Sequence, residues 1–441
     1  MSDVNASENE WFGHPRGLFT LSMTEMWERF SYYGMRAILL LYMVAPLSAG
    51  GLGFTDKHGG SILGTYMSSV YLTSIAGGWL ADKYFGLQRS VLYGGILIAM
   101  GHFSMAFPSL PSFFAGLVLI VLGTGLLKPN VSSIVGTLYR SGDPRRDAGF
   151  SIFYIGINTG AMVAPLVVGY LGQKVNWHWG FGAAGIFMTF GLIQYVFGMK
   201  HLVAVEEAKP NIANVVAGAE AMKEEPLTAE EKKRLWVIGI LFLFSAIFWC
   251  GFEQASSSLT LFAERMTRLT FFGWSFPSSW FQSVEPLFVI LLATPISILW
   301  IRLGRRDPSP PSKFAIGLLA LGLGFLLIVP ASAMAQSQGI RVSPLWLVGL
   351  YFLHAAGELA LSPVGLSTVT KLAPRRIVGL MMGCWFVSLG AGNKVAGYVG
   401  GLFSSYPLPT VFGSVAAIAL VSAIILMFLV KPIRRMMGTV H

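Results

Sequence analysis

Nine ionisable residues interrupt stretches of this 441-residue sequence that are otherwise apolar. Five are acids and four are bases: Glu25, Glu28, Arg29, Arg36, Lys128, Glu253, Glu285, Glu358 and Lys394. Each would cost roughly 2.5–3.5 kcal/mol if it faced lipid, so we expect the charges to face one another or a water-filled cavity. The acids exceed the bases by one when all are ionised, so a single proton neutralises the set. The pattern predicts a proton-binding site, with a purely structural charge network as the alternative.

The first apolar stretch carries the densest group of charges. Glu25 and Glu28 are three residues apart, and Arg29 follows Glu25 by four, so a helix places the three side chains on one face. Two carboxylates then share one guanidinium. In a site of low dielectric constant a neighbouring like charge favours protonation of one acid, because Arg29 can pair fully with only one partner. We expect this pair of acids to handle the proton.

The elements that hold these residues are predicted from composition and hydropathy. Hydrophobic residues make up 54% of the chain, charged residues 12%, and the mean hydropathy is +0.64. These values exclude a water-soluble globular domain, in which about a quarter of the residues are charged. A helix needs about 20 apolar residues to cross a membrane. Twelve segments qualify, which excludes a single-pass receptor: about 18–45, 60–81, 90–108, 112–138, 148–172, 177–199, 236–262, 279–301, 314–334, 343–370, 377–403 and 408–430.

Basic residues outside the spans are unevenly distributed. The N-terminus and every second loop carry 22 Lys and Arg residues, whereas the alternate loops carry only Lys57, Lys174, Arg265, Arg268 and Arg341. Positive charge is retained on the cytoplasmic side during insertion. We therefore expect a multi-pass protein of the plasma (cytoplasmic) membrane with both termini in the cytoplasm. Because the net charge of +10 is spread over many loops, nucleic-acid binding is not expected.

The spans divide six plus six around a polar segment. The predicted parts are a cytoplasmic N-terminal segment, a six-helix bundle, a cytoplasmic linker, a second six-helix bundle and a cytoplasmic tail: 1–17, 18–199, 200–235, 236–430 and 431–441. Thr228 and Glu231 have capping-box spacing, which predicts a helix from Thr228 onward. Residues 1–17 lack a basic start followed by an apolar stretch, so no cleavable signal peptide is expected. Charges on spans 1, 4, 7 and 10 recur every three helices, as in carriers built from three-helix repeats.

Three long motifs in the first half resemble the signatures of the proton-dependent oligopeptide transporter family. They are Glu25-x-x-Glu28-Arg29-Phe30-Ser31-Tyr32-Tyr33-Gly34, Gly123-Thr124-Gly125-Leu126-Leu127-Lys128-Pro129-Asn130 and Phe153-Tyr154-x-x-Ile157-Asn158-x-Gly160. The second half adds Phe248-Trp249…Glu253-Gln254, Ser279-Trp280-Phe281-Gln282-Ser283 and Gly357-Glu358…Ser362-Pro363-Val364-Gly365-Leu366-Ser367. The resemblance extends from about residue 18 to residue 431. It implies an all-α membrane protein with the major facilitator fold, in which twelve transmembrane helices form two six-helix bundles.

The resemblance also implies roles for individual residues. Proton coupling is assigned to Glu25, Glu28, Arg29 and Glu253. Binding of the peptide carboxylate is assigned to Arg29, Arg36 and Lys128, and hydrogen bonding to the peptide backbone or amino terminus to Asn158. Glu285 and Glu358 are assigned to the peptide amino terminus on chemical grounds, because a zwitterionic peptide needs anions opposite its ammonium group. Pockets for the peptide side chains are assigned to Tyr32, Tyr33, Tyr71, Trp249, Ser362 and Trp385. Two gating pairs are implied, Arg36 with Glu253 and Lys128 with Glu358.

The implied function is proton-coupled import of di- and tripeptides by alternating access. We expect no cofactor apart from the coupled proton, no metal site and no enzyme activity. The expected partners are peptides, protons and membrane lipid, and the expected functional unit is a monomer. The alternatives are a carrier for another solute, such as nitrate or a drug, and an intramembrane enzyme or receptor. The chain departs from the family at Glu285, where family members usually have Asn.

Overall fold

A computed structural model describes residues 10–139, 143, 145–202, 227–271, 273–374 and 377–438. Most of the predicted linker, the first nine residues of the predicted N-terminal segment and the end of the predicted tail lie outside the described residues. Five of the basic residues used to predict orientation also lie outside them: Arg140, Lys209, Lys223, Arg375 and Arg376.

Helices dominate the described residues. Their bounds are α1 Arg16–Val44, α2 Asp56–Leu80, α3 Leu87–Met105, α4 Leu110–Thr137, α5 Arg146–Tyr170, α6 Trp177–Gly198, α7 Ala229–Phe252, α8 Ser258–Met266, α9 Val284–Leu303, α10 Pro310–Gln338, α11 Leu345–Leu372, α12 Val378–Gly400 and α13 Leu408–Met437. Within this part of the chain α8 is short, and the other twelve helices have 19 residues or more, enough to span about 30 Å. The prediction of an all-α membrane protein with twelve long helices is confirmed.

Helix α1 differs in composition from most of the other long helices. Eight helical segments of the described residues are long and apolar enough to cross a membrane on composition alone, and α1 is not among them. Its charged residues Glu25, Glu28, Arg29 and Arg36 offset its apolar ones. The residues that reduce the apolar character of α1 are therefore the ones to which the sequence assigns chemistry.

The described residues cluster into two compact units. Unit 1 takes its residues from Met1–Leu39 and Ser69–Ile212, and unit 2 takes its residues from Leu40–Ser68 and Ala213–His441. In unit 1, α3 packs along α4 and α6 around fully buried apolar side chains such as Ile98. In unit 2, α10 packs along α11 and α13, and α7 packs along α12. The first half of α2 thus belongs to unit 2 and its second half to unit 1.

The seventh predicted span is interrupted. The sequence predicts one apolar segment over about 236–262, whereas the structure has α7, a turn of 3-10 helix at Glu253–Ser256, and then α8. At the break, Gln254 Nε2 donates to Cys250 O in the last turn of α7 (3.0 Å), and Ser257 Oγ donates to Ala396 O on α12 (3.2 Å). A break inside the membrane is tolerated where such groups satisfy the backbone.

The described residues also include two short hairpins and a helix cap. Strand β1 (Glu10–Trp11) pairs with β2 (His14–Pro15), and β3 (Thr270–Phe271) pairs with β4 (Trp274–Ser275), both antiparallel. At the start of α7, Thr228 N donates to Glu231 Oε2 (2.9 Å), and Glu231 N donates to Thr228 Oγ1 (3.2 Å). The predicted capping box, and with it a helix that begins inside the polar segment, is confirmed.

Candidate functional site

A buried cluster of charges lies on α1 in unit 1. Arg29 Nε is 3.1 Å from Glu25 Oε1 and also donates a hydrogen bond to Glu28 Oε2. The three side chains are buried. Glu25 Oε2, Glu28 Oε1 and Arg29 Nη2 have no hydrogen-bond partner among the described residues. Because buried polar groups are seldom left unpaired, these atoms are available to bind a proton or the charged group of a ligand.

Two tyrosines lie between the arginines of α1. The guanidinium carbon of Arg29 is 5.3 Å from the centre of the Tyr32 ring, and that of Arg36 is 4.7 Å from the centre of the Tyr33 ring. Both separations are in the range of cation–π interactions. The sequence assigns these rings to the pockets for peptide side chains, and the structure shows that they contact the predicted carboxylate-binding cations.

Helix α4 brings Lys128 toward the same cluster. The Lys128 ammonium lies 4.4 Å from the centre of the Tyr71 ring on α2 and acts electrostatically on the Glu25 carboxylate. A Cβ atom on Gly125 would stand 2.7 Å from Thr73 Oγ1, so the absence of a side chain at Gly125 lets α4 approach α2. Unit 1 therefore groups Lys128 and Tyr71 with the charges of α1.

Asn158 on α5 is positioned by close packing against α1. Its amide Nδ2 donates to Tyr154 O (3.0 Å), and the side chain is buried. Two residues further on, a Cβ atom on Gly160 would overlap the carbonyl oxygen of Met26 on α1. The glycine of the Asn158-x-Gly160 motif therefore permits the helix contact that places Asn158 near the α1 cluster.

In unit 2, Glu253 occupies the break between α7 and α8. Its side chain is buried and begins the 3-10 turn that follows α7. The turn is held by Gln254, whose Oε1 accepts hydrogen bonds from Ser257 Oγ (3.1 Å) and Ser258 Oγ (2.6 Å). This polar network leaves the backbone at Glu253 outside regular α-helical geometry. The sequence assigns no role to Gln254, and its only signal there is its place next to Glu253 in the motif.

Three acids of unit 2 lie close together. Glu285 on α9 shares a hydrogen bond with Glu358 on α11, and Glu253 acts electrostatically on Glu358. Two carboxyl groups can share a hydrogen bond only when one of them carries a proton. The acid that departs from the family pattern is therefore paired with a predicted site residue, and the pair can hold a proton.

The predicted pocket residues of unit 2 lie on three helices. Trp249 on α7 is buried against Phe248 and Phe252, with ring centres 5.7 and 5.2 Å away. Trp385 on α12 packs against α11 at Gly365, where a side chain would collide with its ring. Ser362, one turn before Gly365, is half-buried.

The remaining intramembrane charge is a lysine on α12 in unit 2. Lys394 on α12 is exposed and donates a hydrogen bond to Thr65 Oγ1 on α2. The gating pairs Arg36 with Glu253 and Lys128 with Glu358 join residues of different units and stay predictions. In the described part of the chain, His, Cys, Asp and Glu form no group of three or more arranged to hold a metal ion.

Comparisons with known proteins match nearly the whole chain. The model of the POT family matches residues 88–222 and 205–415. The chain is 43% identical to the uncharacterized transporter YclF of Bacillus subtilis, covering 97% of this chain and 96% of that protein. It is 37% identical to a di-/tripeptide transporter of Lactococcus lactis over 100% of both. The crystal structure of a peptide transporter POT in complex with sulfate is similar, with a TM-score of 0.89, 40% identity and 99% of each chain covered.

Proposed function

The chain belongs to the POT family, and we infer from this membership and from its charged clusters that it imports di- and tripeptides together with protons by alternating access. The observation that carries the inference is the α1 cluster. There the buried Arg29 is shared by Glu25 and Glu28, and one polar atom of each side chain has no partner in the described structure. A relative of the full length of this chain is named a di-/tripeptide transporter.

We propose that the charges of the two units select a zwitterionic peptide. The carboxylate of the peptide pairs with the cations of unit 1: Arg29, Arg36 and Lys128. The ammonium group of the peptide pairs with Glu285 and Glu358 in unit 2, and Asn158 hydrogen bonds to the peptide backbone. The uncharged walls at Tyr32, Tyr33, Tyr71, Trp249, Ser362 and Trp385 surround the peptide side chains. Aromatic walls tolerate side chains of different size because their contacts are mostly apolar.

We place the coupled proton on the glutamates. When a peptide carboxylate binds Arg29, either Glu25 or Glu28 loses its partner, and a buried carboxylate without a partner favours its protonated form. Glu253 and the Glu285–Glu358 pair provide further positions for the proton. Neutralisation then weakens the gating pairs Arg36–Glu253 and Lys128–Glu358, which releases the units to change conformation.

We also propose the membrane, the orientation and the oligomeric state in which the protein works. The excess of basic residues in alternate loops supports insertion in the cytoplasmic membrane with both termini in the cytoplasm. We propose a functional monomer that needs no cofactor other than the coupled proton and performs no enzymatic reaction.

Uptake into proteoliposomes tests the proposed function. With an alkaline interior, the protein is expected to accumulate dialanine and trialanine, and an uncoupler is expected to abolish accumulation. Lys128→Ala should lose both accumulation and peptide exchange, because the peptide carboxylate loses a cation, whereas Lys200→Ala, at an exposed lysine near the end of α6, should keep both. Accumulation that persists with the uncoupler would contradict proton coupling. Wild-type rates in Lys128→Ala would contradict the carboxylate site, and uptake of nitrate in place of peptides would favour the alternative carrier.

A further inference from the structure

A polar pocket of about 390 Å³ lies in unit 2, and its lining contains none of the residues assigned to transport. It forms where the loop after α9 meets the start of α10, the last turns of α11 and the end of α13. The residues that give the pocket its chemistry are Asp307, Lys313, Ser367, Thr368, Lys371 and Met437. We refer to this site as the lysine pocket.

The position of one lysine is fixed by two contacts. Lys313 is buried, its Nζ is 2.8 Å from Asp307 Oδ2, and the same ammonium lies 4.7 Å from the centre of the Trp300 ring. An ammonium group has three N–H donors, so the ion pair with Asp307 does not exhaust its hydrogen-bonding capacity. Asp307 therefore holds a cation at the wall of the pocket.

One face of α11 supplies the opposite wall. Val364, Ser367, Thr368 and Lys371 line the pocket and follow the spacing of one helical face. Thr368 Oγ1 donates to Val364 O (2.7 Å), which directs that hydroxyl along the helix, whereas the exposed Lys371 brings a second ammonium to the pocket. With Asp307 ionised, the two lysines leave a net charge of +1 in the lining.

The pocket combines this positive charge with apolar surface. Pro308, Pro310, Pro363 and Met437 contribute uncharged walls. Trp300 beside Lys313 is a residue type enriched at the membrane–water boundary. The neighbouring helix ends carry further basic residues, Arg302 on α9 and Arg434 on α13, the latter one turn before Met437. A ligand for this site therefore carries a negative headgroup and an apolar portion.

We propose that the lysine pocket binds the phosphodiester of an anionic membrane phospholipid. The phosphate pairs with Lys313 and Lys371, and the glycerol end of the lipid lies against the proline and methionine walls. Basic pockets between membrane helices suit such headgroups, since each lysine near an anionic lipid surface adds about 1 kcal/mol of attraction. In this proposal membrane lipid is a specific ligand of the protein.

Lipid titration of the full-length protein in neutral detergent tests the proposal. Phosphatidylglycerol is added at increasing mole fraction, and bound lipid is counted by native mass spectrometry alongside the shift in unfolding temperature. Lys371→Gln is expected to weaken apparent binding about fivefold, the effect of removing one lysine from an anionic lipid site. Lys371→Glu should abolish it. Lys232→Gln, at an exposed lysine on α7 outside the pocket, should bind like the wild type.

Two controls separate the possible outcomes. Inorganic phosphate and zwitterionic phosphatidylcholine are titrated in the same way, and neither should reproduce the shift given by phosphatidylglycerol. A shift of equal size with inorganic phosphate would mean that the ligand of the pocket is a free anion and not a lipid. Equal binding of phosphatidylglycerol by wild type, Lys371→Gln and Lys371→Glu would overturn the site itself. Because no peptide is present, neither result depends on the transport activity.

Discussion

At the scale of single residues, Arg29 determines what the first helix can do. Its guanidinium has two acidic neighbours on its own helix, and a peptide carboxylate that joins them adds a third anion to one buried cation. One of the resident acids must then become neutral or lose its partner. The spacing of Glu25, Glu28 and Arg29 was sufficient to predict this cluster, because their positions on one helical face are local. The hydrogen bond between Glu285 and Glu358 was not predictable, since α9 and α11 meet only in the folded protein.

Replacing either acid of α1 should separate driven uptake from exchange. In Glu25→Gln or Glu28→Gln the proton site is lost, so uphill uptake of dialanine should fall by about tenfold or more, in line with a coupling of 1–3 kcal/mol. Exchange of labelled for unlabelled dialanine should remain partly intact, because Arg29 and Lys128 still hold the carboxylate. Both are measured in proteoliposomes, with Glu230→Gln on α7 as the exposed control. Full uphill uptake in both variants would show that neither acid is required for proton coupling.

At the scale of elements, α2 is a helix whose two halves belong to different units. Residues 56–68 of α2 belong to unit 2, and they approach α12 where Gly60 and Gly64 meet Gly397 with no side chains between the backbones. At the start of α2, Asp56 pairs with Arg265 through contacts of 2.7 and 2.8 Å and also accepts a hydrogen bond from Ser404. The sequence showed the glycines and the charges but not their partners, because these contacts join residues more than 200 positions apart.

The Asp56–Arg265 pair should stabilise the packing of α2 in unit 2. Asp56 is buried and bonded at both oxygens, so Asp56→Asn should lower the free energy of unfolding by about 2 kcal/mol, as expected when hydrogen bonds to a charged group are lost. A double-mutant cycle with Arg265→Gln, followed by thermal unfolding in detergent, isolates the interaction. We expect a coupling of about 1–3 kcal/mol. Strictly additive effects of the two substitutions would show that the pair contributes nothing.

The β1–β2 hairpin should respond to acid. Arg145 bonds to Glu10 (2.7 Å), to Gly13 O (3.1 Å) and to Asp143 (2.9 Å). Hydrogen bonds from the Arg145 side chain, and then from its backbone N–H, lower the pKa of Asp143. In the folded protein the pKa of Asp143 lies below the ordinary value of about 3.9, so its interaction with Arg145 stabilises the hairpin fully above that pH. This stabilisation is lost as the pH falls through the lowered pKa.

Hydrogen exchange measures this response. Corrected for intrinsic rates, protection of the amides in β1 and β2 should stay constant in the wild type from pH 7 to about 4, near the ordinary pKa of the carboxyl group, and decrease as the pH is lowered further. In Asp143→Asn protection should already be reduced at pH 7 and depend less on pH. Identical profiles for the two proteins would mean that Asp143 does not hold Arg145 on the hairpin.

At the scale of the whole molecule, composition and the spacing of charges predicted most of the architecture. Long apolar runs predicted the membrane helices, and the recurrence of charge on spans 1, 4, 7 and 10 indicated which helices hold the chemistry. The interruption at Glu253 was hidden, because an apolar run looks the same whether or not a turn of 3-10 helix divides it. Side-chain hydrogen bonds accompany the break, including one from Ser257 to α12, and these contacts are seen only in the folded chain.

Measuring proton movement together with peptide entry distinguishes proton-coupled import from uncoupled transport. Proteoliposomes containing a pH-sensitive dye are given external dialanine, with an inside-negative membrane potential and no initial pH gradient. We expect the interior to become more acidic as labelled dialanine enters, and we expect Glu25→Gln and Glu28→Gln to show neither acidification nor accumulation above equilibrium. Dialanine that accumulates in wild-type vesicles while the internal pH stays constant would mean that peptide enters without protons.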